Sequence, residues 1–194
     1  MVYDKKKIKT RVITFVGGLS ALGFVLMLFS FPVLPMFSYL KIDFSDVAVI
    51  IGMYIISPVA GVYIALIKTV LHYLSTGGDI AKLIGNATSF IASLLVTLPF
   101  SYFTKNKLSQ KNILLGGLSS TISLTVILAL ANYFVITLLY LFVLNMDFGM
   151  TTLKLITVSI IPFNLIKGVI LSVMFLIVLT KIVPSISRFS SKQY

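Results

Sequence analysis

The sequence of 194 residues contains no cysteine, no tryptophan and no glutamate. Without cysteine the chain cannot form disulfides, thiolate metal sites or a cysteine nucleophile. The only ionisable groups besides lysine, arginine and tyrosine are one histidine, His72, and five aspartates, at positions 4, 43, 46, 79 and 147. This inventory offers little for a metal site or an acid/base pair. We therefore expect no catalytic residue, no metal site and no cofactor.

Charged residues are also scarce, at 11% of the chain, whereas hydrophobic residues make up 58%. Soluble domains contain about 25% charged residues, so the composition excludes a soluble globular domain and a disordered chain. No G-x-x-x-x-G-K-[ST] motif for ATP phosphates is present. No apolar stretch carries several acids, as a proton relay would. The sequence therefore argues against active transport by this chain alone and against hydrolytic chemistry.

The apolar stretches predict an all-α membrane protein in which residues 1–194 form a single domain of six transmembrane helices. A span needs about 20 apolar residues. Pro32 and Pro35 end the first helix, because proline removes an N–H donor and disfavours helix in the preceding residue. Residues 44–75 as one helix would be about 48 Å long, so Pro58 and Gly61 are taken to divide them. The expected spans are about 12–31, 44–57, 58–75, 81–103, 113–144 and 152–182.

The net charge of +11 comes largely from basic residues beside the apolar stretches. This placement favours a membrane orientation signal over nucleic-acid binding. With six spans, most of the basic residues fall on one side, and four of the five aspartates fall on the other. The positive-inside rule makes the basic side, with both termini, cytoplasmic. The basic residues of that side are Lys5, Lys6, Lys7, Lys9, Arg11, Lys105, Lys107, Lys111, Lys181, Arg188 and Lys192.

Three nitrogen-bearing side chains are predicted to lie deep in the last two spans. Asn164 and Lys167 share one helix face, just after Pro162, which can free a carbonyl. Asn132 and Asn164 each lie 12 residues, or about 18 Å, from the outer ends of their helices. Two amides and an ammonium can thus converge on the edge of a flat polar heterocycle. The alternative is that they join helices, with Lys167 paired to an aspartate or to carbonyls.

Lys68 and His72 are four residues apart on the third helix, near its outer half. They either contact a ligand or pair with Asp43 or Asp46 of the first outer loop. The structural pairing is favoured, because the aspartates gather on that side of the membrane.

Small residues mark two further surfaces. Gly85, at the outer part of the fourth helix, permits close backbone approach, and Gly85 and Asn86 beside it are both candidate ligand contacts. Gly17, Gly18 and Ala21 give the first helix a small-xxx-small surface without ionisable groups. Such a surface packs inside the bundle or docks onto another membrane subunit, and the sequence leaves both uses open.

These residues resemble those of the substrate-binding S components of energy-coupling factor (ECF) vitamin transporters, and among them the riboflavin-specific member. The resemblance covers nearly the whole chain. It rests on residues 37–46 (FSYLKIDFSD), 67–72 (IKTVLH), Asn132 and 162–168 (PFNLIKG). The last segment is the most specific, whereas K-x-D-F-S-D is shared more broadly among S components.

The resemblance implies a multi-pass protein of a prokaryotic cell membrane that binds riboflavin from outside, as transported ligand. It implies that Asn132, Asn164 and Lys167 hydrogen-bond the flavin rings and that the loop around Leu40 closes over the ligand. It further implies as partners a membrane coupling protein and two ATPase subunits, which accounts for the missing ATP motif.

The resemblance also assigns docking onto the coupling protein to the first helix, where the family has an A-x-x-x-A motif. Gly17 and Ala21 align with it, so the first alanine is replaced by an equally small residue. The rivals are an S component for another vitamin, such as thiamine or biotin, a small integral-membrane enzyme, and a helical scaffold without ligand. The deep amides favour riboflavin, and four scattered aspartates form no enzyme-like cluster.

Overall fold

A computed structural model describes residues 5–184, with side chains from Thr10 onward. Five of its helices are long and apolar enough to cross a membrane, and α2 is shorter. The predicted class, an all-α membrane protein with six helices, is confirmed. The helices are α1 (Lys5–Leu28), α2 (Asp46–Ile55), α3 (Pro58–Ser75), α4 (Ile80–Thr104), α5 (Gln110–Phe142) and α6 (Thr152–Ile182).

Part of the charge pattern that predicts the orientation lies outside the described residues. This holds for the side chains of residues 5–9 and for Arg188 and Lys192. The lysines of the α4–α5 loop are described, and Lys105 and Lys107 are exposed there.

Local hydrogen bonds explain where α3 and α4 begin. Pro58 starts α3, where its missing N–H costs nothing, and the Ser57 hydroxyl accepts the Ala60 N–H at 3.1 Å. The Asp79 carboxylate accepts the Lys82 N–H at 2.7 Å at the start of α4. That backbone hydrogen bond is the main cause that lowers the pKa of the exposed Asp79. The division of residues 44–75 thus lies at Ser57 and Pro58.

The first loop (residues 29–45) contains a short piece of regular structure that the sequence did not predict. Two short strands, β1 (Phe31–Pro32) and β2 (Lys41–Ile42), pair antiparallel, with Phe31 opposite Ile42 and Pro32 opposite Lys41. Proline is tolerated in this position because it lies in an edge strand of only two residues. The strands bring the end of the first loop back over the start.

The short helix α2 lies inside the bundle. At about 15 Å it cannot cross a bilayer alone, but most of its residues are buried. Its side chains form one core with those of α3, α4, α5 and α6. This core includes Val49, Ile50, Met53, Ile64, Val96, Phe100, Leu124, Leu171 and Phe175.

Both long helices contain π-helical turns. Helix α5 has one at Asn132–Ile136, and α6 has two, at Ile156–Ile160 and Val178–Ile182. Single π turns inside α-helices are frequent at functional sites. The first begins at Asn132 and the second ends two residues before Pro162, so both lie beside the predicted polar residues.

Helices α5 and α6 approach closely at Gly168. A Cβ atom added to Gly168 would lie 2.8 Å from the backbone Cα of Thr121 and 2.7 Å from its hydroxyl. One turn further along, the Ser172 hydroxyl donates to the Gly168 carbonyl at 2.7 Å and lies 3.5 Å from that of Gly117. Small residues allow such contacts between membrane helices. The relative position of α5 and α6 therefore depends on Gly168.

Gly168→Ala should lower the thermal unfolding midpoint of the protein in detergent. The added methyl group meets the Thr121 backbone, so the helices must separate, at a cost of about 1–3 kcal/mol. Gly17→Ala is the matched control, because a Cβ there meets no atom within 4 Å. Equal midpoints for the two variants would show that the contact at Gly168 does not hold the helices in place.

Candidate functional site

A cavity of about 230 Å³ lies between the first loop and helices α4, α5 and α6. Apart from the first loop and these helices, only Met146 and Phe148, from the α5–α6 loop, line it. Five of the six residues predicted to bind the ligand line the cavity. They are Leu40, Gly85, Asn132, Asn164 and Lys167.

The two asparagines and the lysine, here called the polar trio, line the same cavity from two helices. Asn132 begins the π turn of α5, and its Nδ2 donates to the Leu128 carbonyl at 2.8 Å. Asn164 and Lys167 follow Pro162 on α6, with exposed fractions of 2% and 7%.

Both asparagines line one cavity, but the equal depth expected from counting residues is wrong. The contact of Gly168 with Thr121 lies 4 residues from Asn164 and 11 residues from Asn132, so Asn132 lies about 10 Å further outward along the helices.

The Asn164 side chain is the most unusual member of the trio. Its Oδ1 is buried and has no hydrogen-bond partner. Within residues 10–184, every other buried side-chain nitrogen or oxygen has such a partner. Leaving a buried acceptor unpaired costs about 1–3 kcal/mol. Asn164 therefore lines the cavity and carries a buried acceptor that no described residue satisfies.

Lys167 differs from the other deeply buried lysine, Lys68. Lys68 forms an ion pair with Asp46 at 2.6 Å, which confirms one of the structural pairings considered for it. No described carboxylate lies within ion-pair distance of Lys167, and no described residue accepts a hydrogen bond from it. At longer range its charge acts on Asp46. The helix-joining interpretation therefore describes Lys68, not Lys167.

Asn86 does not line the cavity, although Gly85 beside it does. Consecutive helical residues point about 100° apart, so one of the two faces away. The Asn86 Oδ1 lies 2.9 Å from His72 Nδ1, and its Nδ2 donates to the Lys82 carbonyl at 2.8 Å. His72 therefore pairs with an amide of α4, not with an aspartate.

Several cavity residues were missed by the sequence reasoning. Thr88, Ser89 and Ala92 of α4 share one helix face with the predicted Gly85, a signal that could have identified them. For Phe148, in the α5–α6 loop, the sequence gives no comparable signal. Its ring centroid lies 5.9 Å from that of Tyr39 in the first loop, and burial raises the pKa of Tyr39.

The described part of the chain contains no cluster of metal-binding side chains. Within residues 10–184, no three side chains of histidine, cysteine or acidic residues come together as metal ligands.

A family model described as "ECF transporter, substrate-specific component" matches residues 11–179. The chain belongs to this family. Riboflavin transporter FmnP of Bacillus subtilis is 36% identical to this S component, over 93% of this chain and 96% of the relative. Riboflavin transporter RibU of Staphylococcus aureus is 37% identical, over 92% and 93%. As an S component, the chain is a multi-pass membrane protein and a substrate-binding subunit, not an enzyme.

The fold agrees with a solved structure described as "Structure and mechanism of the S component of a bacterial ECF transporter". The TM-score is 0.76 at 32% identity, and the match covers 92% of this chain and 98% of that one.

The small residues of α1 lie on the outside of this S component. Gly17, Gly18 and Ala21 are exposed, and a Cβ added to either glycine meets no atom within 4 Å. Of the two uses that the sequence left open, packing inside the bundle is therefore wrong for these three residues. Their surface is free for lipid or another membrane protein.

Asn164→Leu should raise the unfolding midpoint of the ligand-free S component. Leucine has a similar size and removes the unpaired buried acceptor, which corresponds to a gain of about 1 kcal/mol. The measurement is thermal unfolding in detergent without ligand. Asn132→Leu serves as comparison and should show no gain, because its amide already donates to Leu128. A lower midpoint for Asn164→Leu would mean that Asn164 joins helices.

Proposed function

We propose that this S component binds riboflavin from outside the cell for ATP-driven uptake. Its partners are a membrane coupling protein and two ATPase subunits, and both termini lie in the cytoplasm. The relatives named as riboflavin transporters support this choice of vitamin. Among the structural features, the unpaired buried Oδ1 of the cavity-lining Asn164 carries the proposal.

The polar edge of the flavin rings matches the polar trio. In the pyrimidine portion of that edge, an imide N–H donor lies between two carbonyl acceptors, one on each side. The Asn164 Oδ1 accepts from the imide, while the Lys167 ammonium donates to a carbonyl, and Asn132 supplies an amide on the facing helix. Hydrogen bonds to a charged donor contribute about 1.5–3 kcal/mol each, which makes Lys167 the strongest single contact.

The rest of the cavity suits a flat neutral molecule. Its wall is mainly apolar, with Leu128, Leu155 and Phe163 among the buried residues that line it. Apolar slots with few converging polar groups are typical of small-molecule sites. Leu40 lies in the wall formed by the first loop, where it closes over the bound ring system.

Other vitamins fit this site less well. Thiamine carries a positive charge, and the cavity lining contains two lysines, Lys41 and Lys167, against one carboxylate, Asp43, so the net charge disfavours thiamine. Biotin carries a carboxylate that Lys167 could bind, but it has no flat ring system comparable to a flavin. Competition by either vitamin against riboflavin tests this order directly.

The direct test is a riboflavin titration of the purified S component, followed by flavin fluorescence and absorbance. One riboflavin bound per chain, or a yellow preparation with a flavin spectrum, supports the proposal. A colourless folded protein that does not bind added riboflavin would overturn it.

Lys167→Ala should weaken riboflavin binding by about 1.5–3 kcal/mol, because it removes the charge-assisted hydrogen bond. The dissociation constant of the folded variant is the measurement. Lys154→Ala is the matched control, since Lys154 is exposed on the same helix and does not line the cavity. Unchanged affinity in folded Lys167→Ala would remove Lys167 from the site.

We also propose that Gly17 and Ala21 form the docking surface for the coupling protein. Gly17→Leu should leave riboflavin binding by the purified protein unchanged and block riboflavin uptake by cells, because a large side chain prevents close helix contact. Leu22→Phe is the control, since Leu22 is exposed on α1 about 140° around the helix from Gly17. Uptake that persists in Gly17→Leu would show that docking occurs elsewhere.

A further inference from the structure

A buried polar network lies behind the cavity wall. The Lys68 ammonium donates to the Ser45 hydroxyl at 2.5 Å and to the Asp46 carboxylate at 2.6 Å. From α4, the Ser93 hydroxyl donates to the same carboxylate oxygen at 2.5 Å. All four side chains are buried, and none of the four lines the cavity. This Lys68 network connects the end of the first loop with α3 and α4.

Stability alone is a weak explanation for these charges. Burying an ion pair carries a desolvation cost, and well-packed apolar residues of similar volume often stabilise a protein as much or more. Lys68 is exposed by only 1%, so the cost applies in full. What the network supplies that leucine and methionine cannot is directed hydrogen bonding, which fixes the backbone at Ser45 and Asp46.

The fixed backbone leads directly to the cavity wall. The Ser45 N–H donates to the Asp43 carboxylate at 2.8 Å, and Asp43 lines the cavity together with Leu40 and Lys41. At its other end this wall segment, residues 40–43, is held by the pairing of β2 with β1. The wall segment is thus fixed by a two-residue ladder on one side and by Lys68 on the other.

We infer that Lys68 is a positioning residue for vitamin binding, which holds the wall segment against the ligand without touching it. The inference rests on the proposed function, because it concerns the same cavity. It assigns to Lys68 a role that its pairing with Asp46 alone does not imply.

Removing the Lys68 charge has a second consequence in the same direction. Asp46 would lose its ion-pair partner, and a buried carboxylate without a partner is unfavourable. The backbone at Asp46, next to the wall segment, would therefore be less firmly held. Both effects weaken binding, and Ser45→Ala separates them, because it leaves the ion pair intact.

The experiment compares Lys68→Met, Ser45→Ala and Thr69→Val with the unchanged S component. Thr69 is the matched control, since it is buried on the same helix and donates only to carbonyls of its own helix. Riboflavin dissociation rate, dissociation constant and the fraction of protein that binds are measured by flavin fluorescence, together with the ligand-free unfolding midpoint.

We expect Lys68→Met to raise the dissociation constant about tenfold or more, mainly through faster dissociation. Ser45→Ala should speed dissociation about threefold, as loss of one hydrogen bond predicts, and Thr69→Val should behave like the unchanged protein. A purely structural role would lower the binding fraction and the midpoint but leave the dissociation rate of bound riboflavin unchanged, which would overturn the inference.

Each remaining outcome has a definite meaning. If Lys68→Met does not fold, Ser45→Ala decides, and an unchanged dissociation rate in that variant overturns the inference. Absence of riboflavin binding by the unchanged S component overturns the proposed function itself. Normal binding by the unchanged protein with normal dissociation from folded Lys68→Met overturns the role of Lys68 alone.

Discussion

The geometry of the cavity depends on one contact, the approach of α5 and α6 at Gly168. Thr121 occupies the space that a side chain would need there. This close contact fixes how far α5 and α6 are offset from each other along their axes. Asn132 and Asn164 lie beyond this contact toward the outer loop, on helices whose relative position it sets. Two amides from different helices can bind one ring only if the axial offset of these helices is fixed. A packing contact between small residues thus determines the geometry of a polar site.

Among buried polar groups, the pairing of a group indicates its use. Lys68 and Lys167 are both buried lysines, but Lys68 has Asp46 and Ser45 as partners, whereas Lys167 faces the cavity. A buried ammonium is costly without partners. This difference is the basis on which we propose that Lys68 holds the structure and Lys167 holds the ligand.

The fold class could be predicted from the sequence because it depends on the length and hydropathy of the apolar stretches, and both can be read directly from the residues. Counting residues from the helix ends did not give the relative depth of Asn132 and Asn164, because the offset between α5 and α6 is set by the contact at Gly168 and not by the helix ends. Helix rotation and loop path were less accessible, since hydropathy reports neither. For this reason Asn86 was expected at the cavity but pairs with His72. Phe148, from the α5–α6 loop, lines the cavity although it was not predicted to do so.

The cavity and the proposed docking surface lie on different parts of the bundle. The cavity is lined by α4, α5, α6 and the first loop, and no residue of α1 within the described chain contributes to it. Helix α1 packs mainly on α2 and α3 and leaves Gly17 and Ala21 outward. A partner can therefore bind α1 without displacing a ligand group. The first loop joins the two regions, since it begins at the end of α1 and ends at the Lys68 network. Any signal from an occupied cavity to the docking helix has its shortest covalent route through that loop.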